Sequence, residues 1–244
     1  MNATKFRYPT GARPLLIEET ARRRRVESRF VSLLEGARFA EVVLPIIDFA
    51  DAYAEVTGSE AARQSYRFTD RDGELVAVRS DFTPMVARAL APSLDASRLP
   101  LRVFYRGDVI RPEPTRLGSN RELFQIGAEL IGDASREADA EMLQLAASLV
   151  ENALVVYTIS GAPGQRGDVQ DDLERAFAND ARFVRHDDDD RAARGYYTGV
   201  RFWVYGADRR TPVAQGGRYD SLYGRFGASA PAIGFTFTID LLED

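Results

Sequence analysis

The sequence predicts an α+β fold, a mainly antiparallel sheet flanked by helices, and three observations lead there. Leu101 to Ile110 and Leu123 to Ile131 are rich in β-branched and aromatic residues, and Pro112, Pro114 and Gly118 lie between them, so the two form an antiparallel hairpin with a long loop. Ser65 to Thr69 and Glu74 to Val78 flank Asp70-Arg-Asp72-Gly73, a second hairpin signal in which Gly73 is free to take positive φ. Helical stretches flank these strands, and the chain carries neither a Gly-x-Gly-x-x-Gly loop nor a Walker loop.

The elements follow in order. A helix runs from about Pro14 to Gly36, with the glycine as its stop. Within it Arg22-Arg23-Arg24-Arg25 points around most of the circumference, and with Glu18, Glu19 and Glu27 close by it reads as a solvated, ion-paired surface. After Asp81 the run to Leu90 is helical. Ser135 suits the N-cap of a helix to about Ala153, with Glu137 and Asp139 favourable in the first turn and Ala138, Met142, Leu145 and Leu149 on one face. Gly199 to Gly206 and Pro212 to Gln215 form another strand pair, and Ala232 to Thr238 a buried strand. Between Glu129 and Tyr196 there is space for one helix, one strand and another short helix. At 244 residues and 45% hydrophobic content, residues 1–244 suit a single domain with one sizeable core.

Composition removes several function classes. With 37 acidic against 32 basic residues the net charge is −5, whereas a nucleic-acid binder more often shows a basic face. Cysteine is absent, which excludes disulfides and cysteine-ligated zinc, and the lone His186 builds neither a histidine metal cluster nor a supported Ser-His-Asp triad. Asp187 to Asp190 read as a solvated acidic loop, so no metal and no cofactor are expected. No apolar stretch approaches the roughly 20 residues of a membrane helix, and no signal peptide is written at the N-terminus, so a cytoplasmic protein is expected.

The chemistry gathers at Arg111-Pro-Glu113, Gly118-Ser-Asn-Arg121-Glu122-Leu-Phe-Gln125 and Glu129. Arginines at the inner ends of a hairpin can grip an anionic group through a planar fork of donors, while Gln125 and Glu129 can meet an amino group; solvated ion pairs at the loop ends are the alternative.

This segment resembles motif 2 of the class II aminoacyl-tRNA synthetases, most closely the histidyl enzyme, with its Arg-x-Glu and later Arg-x-x-x-Gln. Gly36 to Pro45 resembles motif 1, the dimer-forming helix and strand of that family. Gln215-Gly-Gly-Arg218-Tyr219-Asp220 and Ala232-Ile-Gly234-Phe-Thr-Phe resemble motif 3. Tyr196-Tyr197-Thr198-Gly199 is similar to the tyrosine pair of the histidine-binding motif, and Arg79-Ser-Asp81-Phe-Thr83-Pro84 to the segment holding the histidine amino group.

The resemblance implies a class II synthetase-like core and a histidine-like pocket of Asp81, Thr83, Arg111, Gln125, Glu129, Tyr196 and Tyr197. Asp81, Thr83 and Gln125 would serve an α-ammonium, while Glu129 and the tyrosine pair would serve an imidazole. Glu113 and Arg121 would be remnant phosphate or nucleotide contacts. It further implies a homodimer through motif 1, where an isologous contact would cover Val42, Val43, Leu44, Ile46 and Ile47.

The departures concern adenylation. Ala192 and Gly195 stand where the histidyl enzyme has the arginine and aspartate of Arg-Gly-Leu-Asp, Leu241 stands at the adenine-stacking arginine of motif 3, and Phe124 replaces the histidine before Gln125. Each lost cation costs about two to three orders of magnitude in rate, so own adenylation activity is expected to be lost. Tyr66-Arg-Phe68, Arg79-Ser-Asp81 and Thr83 to Arg88 look more like the synthetase paralogue that serves as regulatory subunit of ATP phosphoribosyltransferase. That likeness implies a non-catalytic partner that docks and activates a short catalytic subunit in the first step of histidine biosynthesis and takes part in inhibition by histidine. The anticodon-binding domain is read as absent and the insertion as reduced or absent, so no tRNA partner is expected. Two readings stay open beside it: a truncated enzyme adenylating an amino acid for a non-tRNA acceptor, and a stand-alone amino-acid-binding protein.

Overall fold

The computed structural model describes residues 7–52, 54, 65–112, 120–159, 163–186 and 196–242. The α-helices α1 (Ile17–Gly36), α2 (Thr83–Leu90), α3 (Arg136–Ser148) and α4 (Pro163–Phe177) surround two sheets among these residues. The strands are β1 (Ala40–Glu41), β2 (Ile47–Phe49), β3 (Arg67–Thr69), β4 (Leu75–Val78), β5 (Leu101–Ile110), β6 (Glu122–Ile131), β7 (Leu154–Ile159), β8 (Phe183–Arg185), β9 (Val200–Tyr205), β10 (Pro212–Arg218) and β11 (Ala232–Thr238).

The large sheet has the order β1-β5-β6-β11-β10-β9-β7-β8, and the small one β2-β4-β3. All pairs in the middle of the large sheet are antiparallel; only the edges, β1 with β5 and β7 with β8, pair in parallel. The α+β assignment therefore holds. The segment after α3 is richer than expected, since α4 has 15 residues and is followed by a strand, β8. The helix expected to reach Ala153 stops at Ser148. Its start is as read: the Ser135 hydroxyl accepts the Ala138 N–H at 3.2 Å, and Glu137 and Asp139 lie in the first turn.

Strand alternation gives the sheet two different faces. One face, with Phe104, Ile126, Ala128, Leu130, Phe202, Phe235 and Phe237, packs on Phe30 and Leu34 of α1, Met142 and Leu143 of α3 and Leu173 of α4. On the opposite face Val103, Tyr105, Val109, Ile131 and Ala232 meet Phe82, Val86 and Ala87 of α2 together with Tyr196, Tyr219 and Tyr223. The candidate residues Gln125 and Glu129 are on this second, less apolar face, because Ile126, Ala128 and Leu130 point to the first.

Two arginines lock the loops to this frame. Arg79 donates through Nε and Nη2 to the Asp108 carbonyl at 3.0 and 2.7 Å and through Nη1 to the carbonyls of Leu44 and Pro45 at 3.0 and 3.2 Å. It lies flat on Phe82, 3.9 Å from the ring centre. Gly107 makes room for it: at φ +148° a side chain would be strained, and a Cβ there would sit 2.9 Å from Arg79 Nη2. Arg218 is buried and bonds Asp139 at 2.6 Å, the Asp133 carbonyl at 3.0 Å and Asp220 at 3.1 Å, fixing the end of β10 to the start of α3.

The arginine tract is ion-paired, but not merely as a solvated surface. Arg23 pairs with Asp240, whose other oxygen takes the Phe124 N–H at 2.6 Å. Arg24 pairs with the buried Glu27, which also holds Arg106 at 2.6 Å. Arg23 and, through Arg106 of β5, Glu27 thus dock α1 onto the sheet, while Arg24 pairs within its own helix.

Candidate ligand pocket over the central strands

β6 is opposite Val103 at Glu129 on one side and Gly234 of β11 on the other, and Gly234 in turn lies beside Gly217 of β10. The two glycines leave the floor of this face without side chains, and neighbouring groups fill the space. A Cβ at Gly234 would fall 1.5 Å from Glu129 Oε2, and one at Gly217 would fall 2.8 Å from the Tyr197 ring.

Glu129 is fully buried and ringed by hydroxyls. Thr83 Oγ1 donates to Oε1 at 2.9 Å, Tyr105 Oη donates to the same oxygen at 3.2 Å, and Tyr219 Oη bonds Oε2. Tyr105 Oη also shares a 2.6 Å bond with Thr236 Oγ1. Burial pushes the Glu129 carboxyl up to about 8; the hydroxyls of Thr83 and Tyr105 pull it down by less, and Asp81 pushes it further up. At neutral pH the group is therefore mostly the neutral acid, where the sequence suggested a charged acceptor. Burial also raises the phenols of Tyr105 and Tyr223 well above their usual value, so both remain protonated donors.

The other predicted residues divide into two groups. Asp81 is nearly buried just ahead of α2 and Thr83 is the first residue of that helix, which brings both to Glu129. Gln125 lies four residues before Glu129 on the same face, 3% exposed, with its Oε1 lacking a hydrogen-bond partner. Tyr196 and Tyr197 pack with ring centres 4.9 Å apart and planes tilted by 44°, and Tyr219 meets them edge-on at 5.8 and 6.5 Å. Arg111 and Arg121 form the second group, at the loop end of the hairpin. The Arg111 N–H bonds the Arg121 carbonyl at 2.9 Å, and Arg121 donates to the Tyr66 hydroxyl at 2.7 Å. Arg121 precedes Glu129 by eight residues, about 25 Å of extended strand, so these cations are not part of the Glu129 cluster. Glu113, Ala192 and Gly195 lie outside the described residues.

Sequence reasoning missed Tyr105 and Tyr219 as partners of Glu129. Period-2 alternation along β5 puts Tyr105 on the face of Val103 and Gly107, and Tyr219 directly follows Arg218 in the motif 3 segment, so a signal was present for both. Leu241 sits in a short turn, Ile239–Leu241, and lines a cleft with Val26, Arg29 and Phe30, on the helical side of the sheet.

A family profile described as histidyl-tRNA synthetase matches residues 11–160 and 168–242. The chain belongs to the histidyl-tRNA synthetase family. Within it, the chain is similar to the ATP phosphoribosyltransferase regulatory subunit of Geobacter sulfurreducens, 28% identical over 310 aligned positions that cover 95% of this chain and 71% of the relative. It is similar at 27% identity to the histidine–tRNA ligase of Methanocaldococcus jannaschii, across 96% of this chain and 74% of that one. Among solved structures, an ATP phosphoribosyltransferase regulatory subunit/histidyl-tRNA synthetase from Bacillus halodurans C superposes with a TM-score of 0.81 at 22% identity, covering 97% of this chain and 82% of the other. Apo Staphylococcus aureus histidyl-tRNA synthetase superposes at 0.79 and 22% identity, covering 96% and 68%. The structures establish the histidyl-tRNA synthetase-like core. The likeness to regulatory subunits, expected from Tyr66 to Arg88, holds over nearly the whole chain.

Proposed function

We propose that this member of the histidyl-tRNA synthetase family is the regulatory subunit of ATP phosphoribosyltransferase, which docks a short catalytic subunit, activates it and takes part in feedback inhibition by histidine. The observation that carries the reading is the unequal state of the two halves of the site. Acceptors for an amino acid converge at Asp81, Thr83, Gln125 and Glu129, with the Tyr196/Tyr197 pair beside them, whereas motif 3 ends in Leu241 without a cation. Co-purification with a short phosphoribosyltransferase subunit, and a rise in that subunit's turnover when this chain is added, is the expected result; a catalytic subunit that neither binds nor changes rate would refute the proposal.

The likeness to a histidine–tRNA ligase favours the rival, an adenylating enzyme. Leu241 offers neither charge nor a planar guanidinium for adenine, so no ATP–pyrophosphate exchange is expected with any amino acid. Exchange above background would restore the enzymatic reading.

A homodimer is also proposed. Val42 and Leu44 turn inward against the second core, while Val43, Ile46 and Ile47 are 89%, 49% and 40% exposed. In the small sheet the register sets Phe49 and Phe68 on either side of Val76, and both phenylalanines are about half exposed. An apolar face of this kind, on adjoining elements, suits a self-complementary contact. Light scattering at micromolar concentration is expected to give twice the chain mass, and a Val43→Glu, Phe49→Glu variant the mass of one chain.

A further inference from the structure

We infer that the Glu129 pocket takes up its ligand as a cation in exchange for a proton. This rests on the amino-acid-binding reading given above and specifies its charge chemistry. Every hydrogen bond to the Glu129 carboxyl comes from a hydroxyl, of Thr83, Tyr105 or Tyr219, and no cationic side chain bonds it among the described residues. The titratable groups facing it from the packed elements are Asp81 ahead of α2, Tyr105 on β5, and Tyr219 and Tyr223 after β10. None of these carries positive charge; the buried Arg201 of β9 shares the face across Gly234 and Gly217, but its guanidinium lies over the rings of Tyr197 and Trp203, 4.9 and 4.8 Å from their centres, and does not bond the carboxyl. β11 contributes only Gly234 and Thr236, and Arg79, two residues before Asp81, is committed to the carbonyls of Leu44, Pro45 and Asp108.

A buried carboxyl surrounded in this way keeps its proton while the pocket is empty. Along the same face, Gln125 adds a buried carbonyl oxygen without a donor, which an N–H of the ligand can satisfy. An arriving ammonium, already charged at pH 7, supplies the missing positive charge, whereas an imidazole that had to take up a proton to become a cation would cancel the release. The Glu129 O–H bond then breaks, its proton leaves to solvent, and the resulting carboxylate accepts the ligand's N–H, so one cation enters as one proton departs. A neutral ligand of the same shape leaves the proton in place. Selection is thus by charge, and affinity follows pH.

Calorimetric titration of the full chain with L-histidine at pH 7.0, in phosphate and in Tris, measures the exchange. For a carboxyl titrating near 8, about 0.9 proton should be released per ligand bound. Affinity should rise nearly tenfold per pH unit between pH 6.5 and 7.5, and Glu129→Gln should abolish the buffer dependence. Binding whose heat is the same in both buffers and whose affinity is flat with pH would overturn the exchange while leaving the amino-acid reading intact. Release that persists in Glu129→Gln would overturn it as well. No heat at millimolar histidine would remove the pocket reading and the exchange together. Should Glu129→Gln bind nothing, the pH slope of the unaltered protein decides.

Discussion

Replacing Asp139 by alanine is expected to destabilise the fold by about 3–5 kcal/mol, the usual cost of leaving a buried charge without its partner. Asp139 is fully buried, 2.6 Å from Arg218 Nε, and Arg218 is itself 2% exposed. Burial raises the Asp139 carboxyl and Arg218 opposes the shift, which identifies desolvation as the larger effect and the arginine as its main compensation. Losing the carboxylate leaves the guanidinium between β10 and α3 with the carbonyls of Asp133 and Ser135 as buried acceptors and only the half-exposed Asp220 carboxylate as a counter-charge. Urea unfolding measures the loss. The double variant Asp139→Ala, Arg218→Met should recover a large part of it, because no uncompensated charge remains. A single-variant loss below about 1 kcal/mol would show that the pair contributes no more than an exposed one.

The second large effect is in the pH dependence of stability. Glu129 titrates at about 8 in the folded chain against 4.5 for the ordinary group. Between those values the folded state holds a proton that the unfolded state has released, so stability must fall as pH rises through the window. The full displacement amounts to about 5 kcal/mol from this group alone, at roughly 1.4 kcal/mol per unit. Asp139 and Asp108, both raised by burial, act in the same direction. Unfolding midpoints at pH 5 and pH 8.5 should therefore diverge strongly in the native chain and much less in Glu129→Gln. The difference between the two proteins isolates Glu129, since every other carboxylate is common to both. Equal pH slopes would mean that the folded state accommodates the ionised carboxylate.

Much of this was legible because it is local. Ser135 announces α3 through its own cap, and β5 and β6 are written as two long apolar runs with turn residues between them. The pairing of β8 with β7 was not readable, since Phe183–Arg185 is three residues long and acquires strand geometry only from its neighbour. Likewise α4 has a weakly apolar sequence, Pro-Gly-Gln-Arg-Gly at its start, and gains its helix by setting Val169, Leu173 and Phe177 into the core. In the pocket, motif spacing located Asp81, Thr83, Gln125 and Glu129 but not the state of the carboxyl. Protonation depends on what surrounds a group in space, and Thr83, Tyr105 and Tyr219 reach Glu129 from α2, from β5 and from the residue after β10.

Arg79 has a mechanical meaning. Its guanidinium grips the backbone at Leu44, Pro45 and Asp108, its own N–H bonds the Ile46 carbonyl at 2.8 Å, and its carbonyl takes the Ile110 N–H at 2.8 Å. Two and four residues further on stand Asp81 and Thr83. The exposed segment around Val43 and Ile46 and the chain that delivers Thr83 to Glu129 are thus tied together at one residue, Arg79. A displacement of that apolar rim therefore acts on the residue from which the chain runs, four positions later, into Thr83 and the rim of the pocket.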